Sequence, residues 1–234
     1  MDILTGILKC MGDLILYALI FLTLIIPLHF VFHIRSFIFR KLLHILAFSC
    51  ISLMILFAIN WISAALASLL IMLIFYPVLC FLERFSWYST LFVEKRPKEI
   101  KRSMCLLFLM FSLNIAIAWG IFNAKELSAL SILIWGSGDA AAALIGIPFG
   151  KHKIKWPYTD GKKSYEGTLA MFAVSYIVGV IFMLYVCKYD LIYSLLIMLP
   201  VALSSALSEL YSPGEIDTIT VPTVLLVVLL LLIR

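Results

Sequence analysis

Charge is what this sequence has least of. Only 13% of its 234 residues are Asp, Glu, Lys or Arg, about half the share of an ordinary soluble domain, whereas 64% are hydrophobic and the mean hydropathy is +1.13. A water-soluble globule is thereby excluded. The five cysteines (Cys10, Cys50, Cys80, Cys105 and Cys187) form no CxxC pair, which speaks against a disulfide framework or a zinc site and for reduced thiols in apolar surroundings. A small-residue cleavage pattern is also missing after the first apolar run, so that run is expected to be a retained span and not a removed signal peptide. The strict short alternation of a β-barrel is absent too, and open sheets cannot cross lipid.

What is present is a series of long apolar runs, at about 14–33, 42–59, 62–82, 103–122, 127–146, 168–187, 191–209 and 219–233. They predict an all-α, polytopic membrane bundle of about eight helices. Eight spans leave no room for a separate soluble domain, so residues 1–234 are expected to form a single integral membrane domain.

The few charges are unevenly placed. Fourteen of the 18 Lys and Arg residues fall in the connections after spans 1, 3, 5 and 7, and four (Lys9, Lys125, Lys188 and Arg234) on the other face. This split places the basic face in the cytoplasm and both termini outside. Nine of the 13 acids (Glu83, Glu94, Glu99, Asp139, Asp160, Glu166, Glu209, Glu215 and Asp217) share that face. Mixed acids and bases at one mouth of a bundle suit a divalent cation such as magnesium together with a polyphosphate.

The richest stretch is WGSGDAAAALIGIPFGKHKIKWPYTDGKKSYEG, residues 135–167. Gly136 and Gly138 interrupt an apolar helix, and Asp139 can cap the half-helix that follows; a helix broken at Gly136–Asp139 is expected to open onto a watery cavity. Beyond Gly146 and the turn Pro148-Phe149-Gly150 come Lys151, Lys153, Lys155, Lys162 and Lys163, a set that would attract a triphosphate. Ser164 can cap the next span, with Glu166 in its first turn and Gly167 permitting close approach, so Lys163 and that helix N-terminus form an expected anion site. GxGxxA at 136–141 is no dinucleotide fingerprint, because no strand precedes it. His29 and His33 lack any third ligand and read as packing residues, and the charge run 94–102 as a solvated or headgroup-facing segment. Nothing in the pattern points to nucleic acid.

The segments GDAAAALIGIPFGKHK and GKKSYEGTLA resemble those of the membrane lipid-alcohol kinases that include dolichol kinase, phytol and farnesol kinases and the CTP-dependent diacylglycerol kinase of yeast. Arg40-Lys41-Leu42-Leu43-His44 is similar to the family's RKxxH, and Glu209 with PGEIDTITVP to its acid and DNxTVP-like stretch; Ser164 stands where Thr is usual, and Thr218 where Asn is usual. The resemblance implies transfer of the γ-phosphate of CTP to the hydroxyl of a polyprenol, a shorter isoprenoid alcohol or diacylglycerol, with magnesium or a similar cation. It also implies that Arg40, Lys41, Asp139 and Gly146 are essential. On this reading Asp139 coordinates the metal, with Glu166 and Asp217 as further ligands. Lys151, Lys153, Lys162 and Lys163 neutralise the triphosphate, and Gly138, Gly150, Ser164 and Gly167 admit the nucleotide. Arg40 and Lys41 approach from span 2, His44 or a carboxylate takes the hydroxyl proton, Glu209 is a further candidate, and the lipid enters sideways between helices. A phosphatidate cytidylyltransferase-like enzyme is the nearest alternative. An ion or solute transporter using the broken helix is the alternative of another class.

Overall fold

The computed structural model describes residues 2–85, 99–157, 159, 161–212, 214 and 216–233, apart from the side chain of Phe30. Glu94, Lys95, Arg96, Lys98, Asp160, Glu215 and Arg234, all assigned to faces above, lie outside the described residues. Among those described, eight helical rods account for nearly the whole chain: α1 (Ile3–Phe32), α2 (Ser36–Phe57), α3 (Trp61–Leu82), α4 (Glu99–Asn114, continuing as a π-helix over Ile115–Ile121), α5 (Lys125–Phe149), α6 (Tyr165–Tyr185), α7 (Leu191–Leu210) and α8 (Asp217–Ile233). Seven are long and apolar enough to cross a membrane. The 17 residues of α8 rise about 25 Å, at the short end of the spanning range. The first helix begins at Ile3, well before the expected residue 14, because the polar residues Lys9 and Asp13 are accommodated within it.

Tight, locally satisfied turns set the alternation. Asn60 accepts a hydrogen bond from the Ser63 N–H at 2.7 Å and starts α3; Asp190 accepts from the Tyr193 N–H at 2.9 Å and starts α7. His33, Asn123 and Lys188 take the left-handed conformation where α1, α4 and α6 end. Such short links make successive helices antiparallel neighbours. The described residues that follow α1, α3, α5 and α7 therefore lie at one end of the bundle, which is the basic end.

The centre of the bundle is α5, packed against α2, α6, α8 and the π-helical turn of α4, whereas α1 lies at the periphery. Phe48, Phe111 and Trp135 meet edge to face at 4.6–5.7 Å and fill the middle.

One expectation is corrected here. The helix is continuous through Gly136–Asp139 and has no break. A Cβ on Gly136 would lie 2.2 Å from the Phe48 ring, and one on Gly138 would lie 2.5 Å from the Ser175 hydroxyl. The two glycines let α2 and α6 approach α5. In lipid an interrupted helix leaves backbone groups without partners, so glycine serves there as a small packing residue and the hydrogen-bonded ladder runs on. The broken helix on which the transporter alternative rested is absent.

Candidate active site

Lys41 and His44 are three residues apart in the second turn of α2, so they share a face, and that face looks onto α5. Lys41 Nζ donates to Asp139 Oδ2 at 2.7 Å, and His44 Nε2 lies 3.0 Å from the same oxygen. The His44 ring rests on Phe48 with centroids 4.3 Å apart, and Trp135 stands one turn below Asp139. Asp139 is thus held by two nitrogen-bearing groups above an aromatic floor.

This trio opens into a cavity of about 420 Å³ at the basic end, whose polar wall is made by Arg40, Lys41, His44, Asp139, Glu209 and Asp217. Four helices contribute. Glu209 comes from the last turn of α7, where Lys163 Nζ reaches its Oε1 at 2.9 Å and also donates to the backbone oxygens of Glu209 and Ser212. A cation seated on the carbonyl end of a helix is favourably placed against the helix dipole. Asp217 opens α8, and Thr218 donates to it at 3.3 Å. The α7–α8 turn is tied by the Ser212 and Thr220 hydroxyls, which hydrogen-bond each other.

The residues between α5 and α6 have a different task. Glu166 accepts from the N–H groups of Lys151 and His152, each at 3.2 Å, and pairs with His152 Nδ1 at 2.6 Å. Ile154 N–H donates to the Lys163 carbonyl at 2.9 Å, and Lys153 bridges to Ser164 in antiparallel fashion. Ser164 caps α6 by accepting from the Gly167 N–H. Gly146 and Gly167 touch backbone to backbone, since a Cβ on Gly167 would lie 3.1 Å from the Gly146 Cα, and Gly150 is equally closed in by the Gly146 carbonyl. Glu166, Gly138, Gly146, Gly150, Ser164 and Gly167 therefore build the α5–α6 crossing and its loop, and none of them lines the cavity. Lys151, Lys153 and Lys162 sit on the exposed side of that loop. Lys163 is engaged with the end of α7.

The chain matches the model of the cytidylyltransferase family over residues 1–231. It belongs to that family. It is also 36% identical over 117 residues to phytol kinase from Synechocystis sp. (strain ATCC 27184 / PCC 6803 / Kazusa), a match that spans 49% of each chain. No solved structure matches.

In this cytidylyltransferase-family bundle the donor set of the cavity suits a phosphate-bound divalent cation better than a protein-caged one. Among the described residues no three His, Cys, Asp or Glu side chains stand close enough to hold a metal unaided. Magnesium typically takes one or two carboxylates and completes its octahedron with phosphate oxygens and water, and Asp139, Glu209 and Asp217 offer carboxylates on one wall while Arg40 and Lys41 offer positive charge on another. The sequence reading missed the wall supplied by α4, made by Ser103, Met104, Leu107 and Phe108. Its signal was there as a repeat of three and four residues along one helical face, beginning just after a charge run read as solvated. In that run Lys101 is buried against Glu83 at 2.7 Å and acts as a strut between α3 and α4.

Proposed function

We propose that this protein transfers the γ-phosphate of a nucleoside triphosphate, CTP, to the hydroxyl of a membrane lipid alcohol. The observation that carries the proposal is the placement of Asp139 between Lys41 and His44 in a charged cavity at one end of an otherwise apolar bundle. An intramembrane ionisable cluster facing the bundle interior marks a site of function. The similarity to a phytol kinase supports an isoprenoid alcohol as acceptor over diacylglycerol. The charge asymmetry of the loops supports a cavity that opens to the cytoplasm, where nucleotide is abundant.

The chemistry follows from positioning. The lipid hydroxyl oxygen forms a bond to the γ-phosphorus, the bond from that phosphorus to the β–γ bridging oxygen breaks, and CDP leaves. Arg40 and Lys41 neutralise the equatorial phosphate oxygens, where charge is spread in a loose transition state. The hydroxyl proton passes to His44, whose Nε2 lies 3.0 Å from the Asp139 carboxylate. Asp139 and Asp217 would hold a magnesium ion, which would supply neutralising charge to the triphosphate. The lysines of the 151–163 loop draw the triphosphate toward the cavity mouth.

A second reading has one observation behind it, the cytidylyltransferase description of the family. In that reaction the α-phosphorus is attacked by a lipid phosphate and pyrophosphate leaves. An acceptor panel decides between the two: purified protein, magnesium and CTP or ATP are incubated with phytol-type alcohols, polyprenols, diacylglycerol and phosphatidate. Alcohol-dependent release of CDP is expected. Phosphatidate-dependent release of pyrophosphate, with no turnover of any alcohol, would overturn the kinase proposal.

A further inference from the structure

Lys163 stands apart from the other lysines of its loop. Lys151, Lys153, Lys155 and Lys162 are exposed, whereas the Lys163 side chain is 15% exposed and runs from the α5–α6 loop to the end of α7. An ammonium group carries three donors. Three oxygens surround Lys163 Nζ: Glu209 Oε1 at 2.9 Å, the Ser212 carbonyl at 2.9 Å and the Glu209 carbonyl. Both carbonyls belong to the C-terminal end of α7, where backbone oxygens have no partner inside the helix. These contacts leave no donor for a phosphate, and Lys163 does not line the cavity, although Glu209 does. Lys41, by contrast, gives one donor to Asp139 and lines the cavity. The backbone at Lys163 is fixed on both sides, since its carbonyl accepts from the buried Ile154 N–H at 2.9 Å and the next residue, Ser164, caps α6. The hold also extends beyond α7. Ser212, itself buried, is joined through its hydroxyl to Thr220 in the first turn of α8, three residues from Asp217 and two from Thr218.

We propose that Lys163 is a positioning residue that sets the acidic wall of the cavity, in place of the phosphate contact expected from the sequence; the inference rests on the kinase reading for the reaction that this wall serves. Lys163 acts on Glu209 directly, and on Asp217 and Thr218 through the Ser212–Thr220 link. Glu209 is 12% exposed, and a carboxylate so far withdrawn from water needs a paired charge to stay ionised, which Lys163 supplies. Removing the ammonium lets that carboxylate turn away and the α7–α8 turn shift. A displacement of about 1 Å at a reacting group, caused by a substitution away from the chemistry, costs about a hundredfold in rate. The loop lysines thus divide their tasks: the exposed ones draw the nucleotide in, and the sunken one holds the wall that receives it.

The test uses the full chain in phosphatidylcholine nanodiscs. Wild-type protein is acetylated with a water-soluble amine-reactive ester, with and without magnesium and CTP, and each lysine is quantified by peptide mass spectrometry. Lys163 is expected to label far more slowly than Lys151, Lys153 and Lys162, at a rate that nucleotide leaves unchanged. Lys163→Met should speed amide exchange severalfold in the peptides covering 205–212 and 216–222. It should lower kcat about tenfold to a hundredfold. The Kd for labelled CTP in equilibrium dialysis should stay within about threefold, whereas loss of a direct charge-assisted contact would raise it about tenfold or more. The double variant Lys163→Met/Glu209→Gln should lose no more turnover than the worse single variant, because the two residues act as one unit. Labelling of Lys163 as fast as its neighbours, protection of Lys163 by nucleotide, or losses that multiply in the double variant would overturn the proposal. If Lys163→Met does not fold, the labelling of the wild type decides. Slow labelling of Lys163 in a wild-type protein that phosphorylates no alcohol supports the hold on α7 and removes the kinase reading.

Discussion

The pair Lys41–Asp139 allows structure and chemistry to be separated by one set of variants. The two side chains are 17% and 22% exposed and joined at 2.7 Å, and Asp139 has His44 as a second neighbour at 3.0 Å. Replacing Lys41 by Met leaves the carboxylate with His44 alone. A hydrogen bond to a charged group contributes about 1.5–3 kcal/mol, and partial exposure puts this pair near 2 kcal/mol. For a chain of this size that is a fall in Tm of about 4–8 °C. Lys41→Met and Asp139→Leu each remove one partner and should both show it. The double variant removes both and should recover most of the loss, because an apolar pair of similar size replaces a partly buried ion pair at little net cost. Turnover should behave differently: each single variant loses at least about a hundredfold in kcat, the scale for removing one group that stabilises transferring charge, and the double variant stays as inactive as the singles. Thermal unfolding followed by fluorescence-detected gel filtration gives the first quantity, and transfer of labelled γ-phosphate to lipid alcohol gives the second. A double variant that regains turnover along with stability would refute the assignment of Lys41 and Asp139 to chemistry and leave them as structural partners.

Other outcomes follow from the packing. Gly136→Val should lower the yield of folded protein and destabilise it by about 1–3 kcal/mol or more, since even a single Cβ would lie 2.2 Å from Phe48; unchanged thermal stability would show that α2 and α5 do not cross this closely. Glu166→Ala releases His152 and two backbone N–H groups from their partner, so limited proteolysis between 151 and 163 should speed up severalfold while the helical bundle stays intact by circular dichroism. Cys187 lies in the α6–α7 turn, where burial pushes its thiol up to about 11; it should react with iodoacetamide at pH 8 far more slowly in the folded protein than in denaturant.

Much of this architecture was legible in the sequence, for a physical reason. Lipid leaves the backbone only helix or a closed barrel, and the barrel's alternation is absent, so apolar runs and the basic loops between them define the rods and their order. The convergence of Lys41 and His44 on Asp139 was foreshadowed by RKxxH and by an acid in an apolar helix. What misled was glycine. In water Gly136 and Gly138 would argue for a break, whereas in the bundle they mark the closest helix contacts. The role of Glu166 was hidden because its partners, His152 and two backbone N–H groups, reach it only after the loop folds back on itself. The α4 wall was hidden because it depends on how α4 leans on α8, a pairing distant in the chain. The lysines assigned to phosphate divide accordingly: Lys41 lines the cavity, Lys163 is latched to α7, and the remainder decorate an outer loop.

The most direct test of the central claim is the fate of doubly labelled CTP, carrying one isotope at the α- and another at the γ-phosphorus, when purified protein, magnesium and a four-unit isoprenoid alcohol are mixed. The account predicts a lipid monophosphate that carries only the γ-label, with CDP retaining the α-label. A lipid product carrying the α-label, or no lipid product with any alcohol, would contradict it.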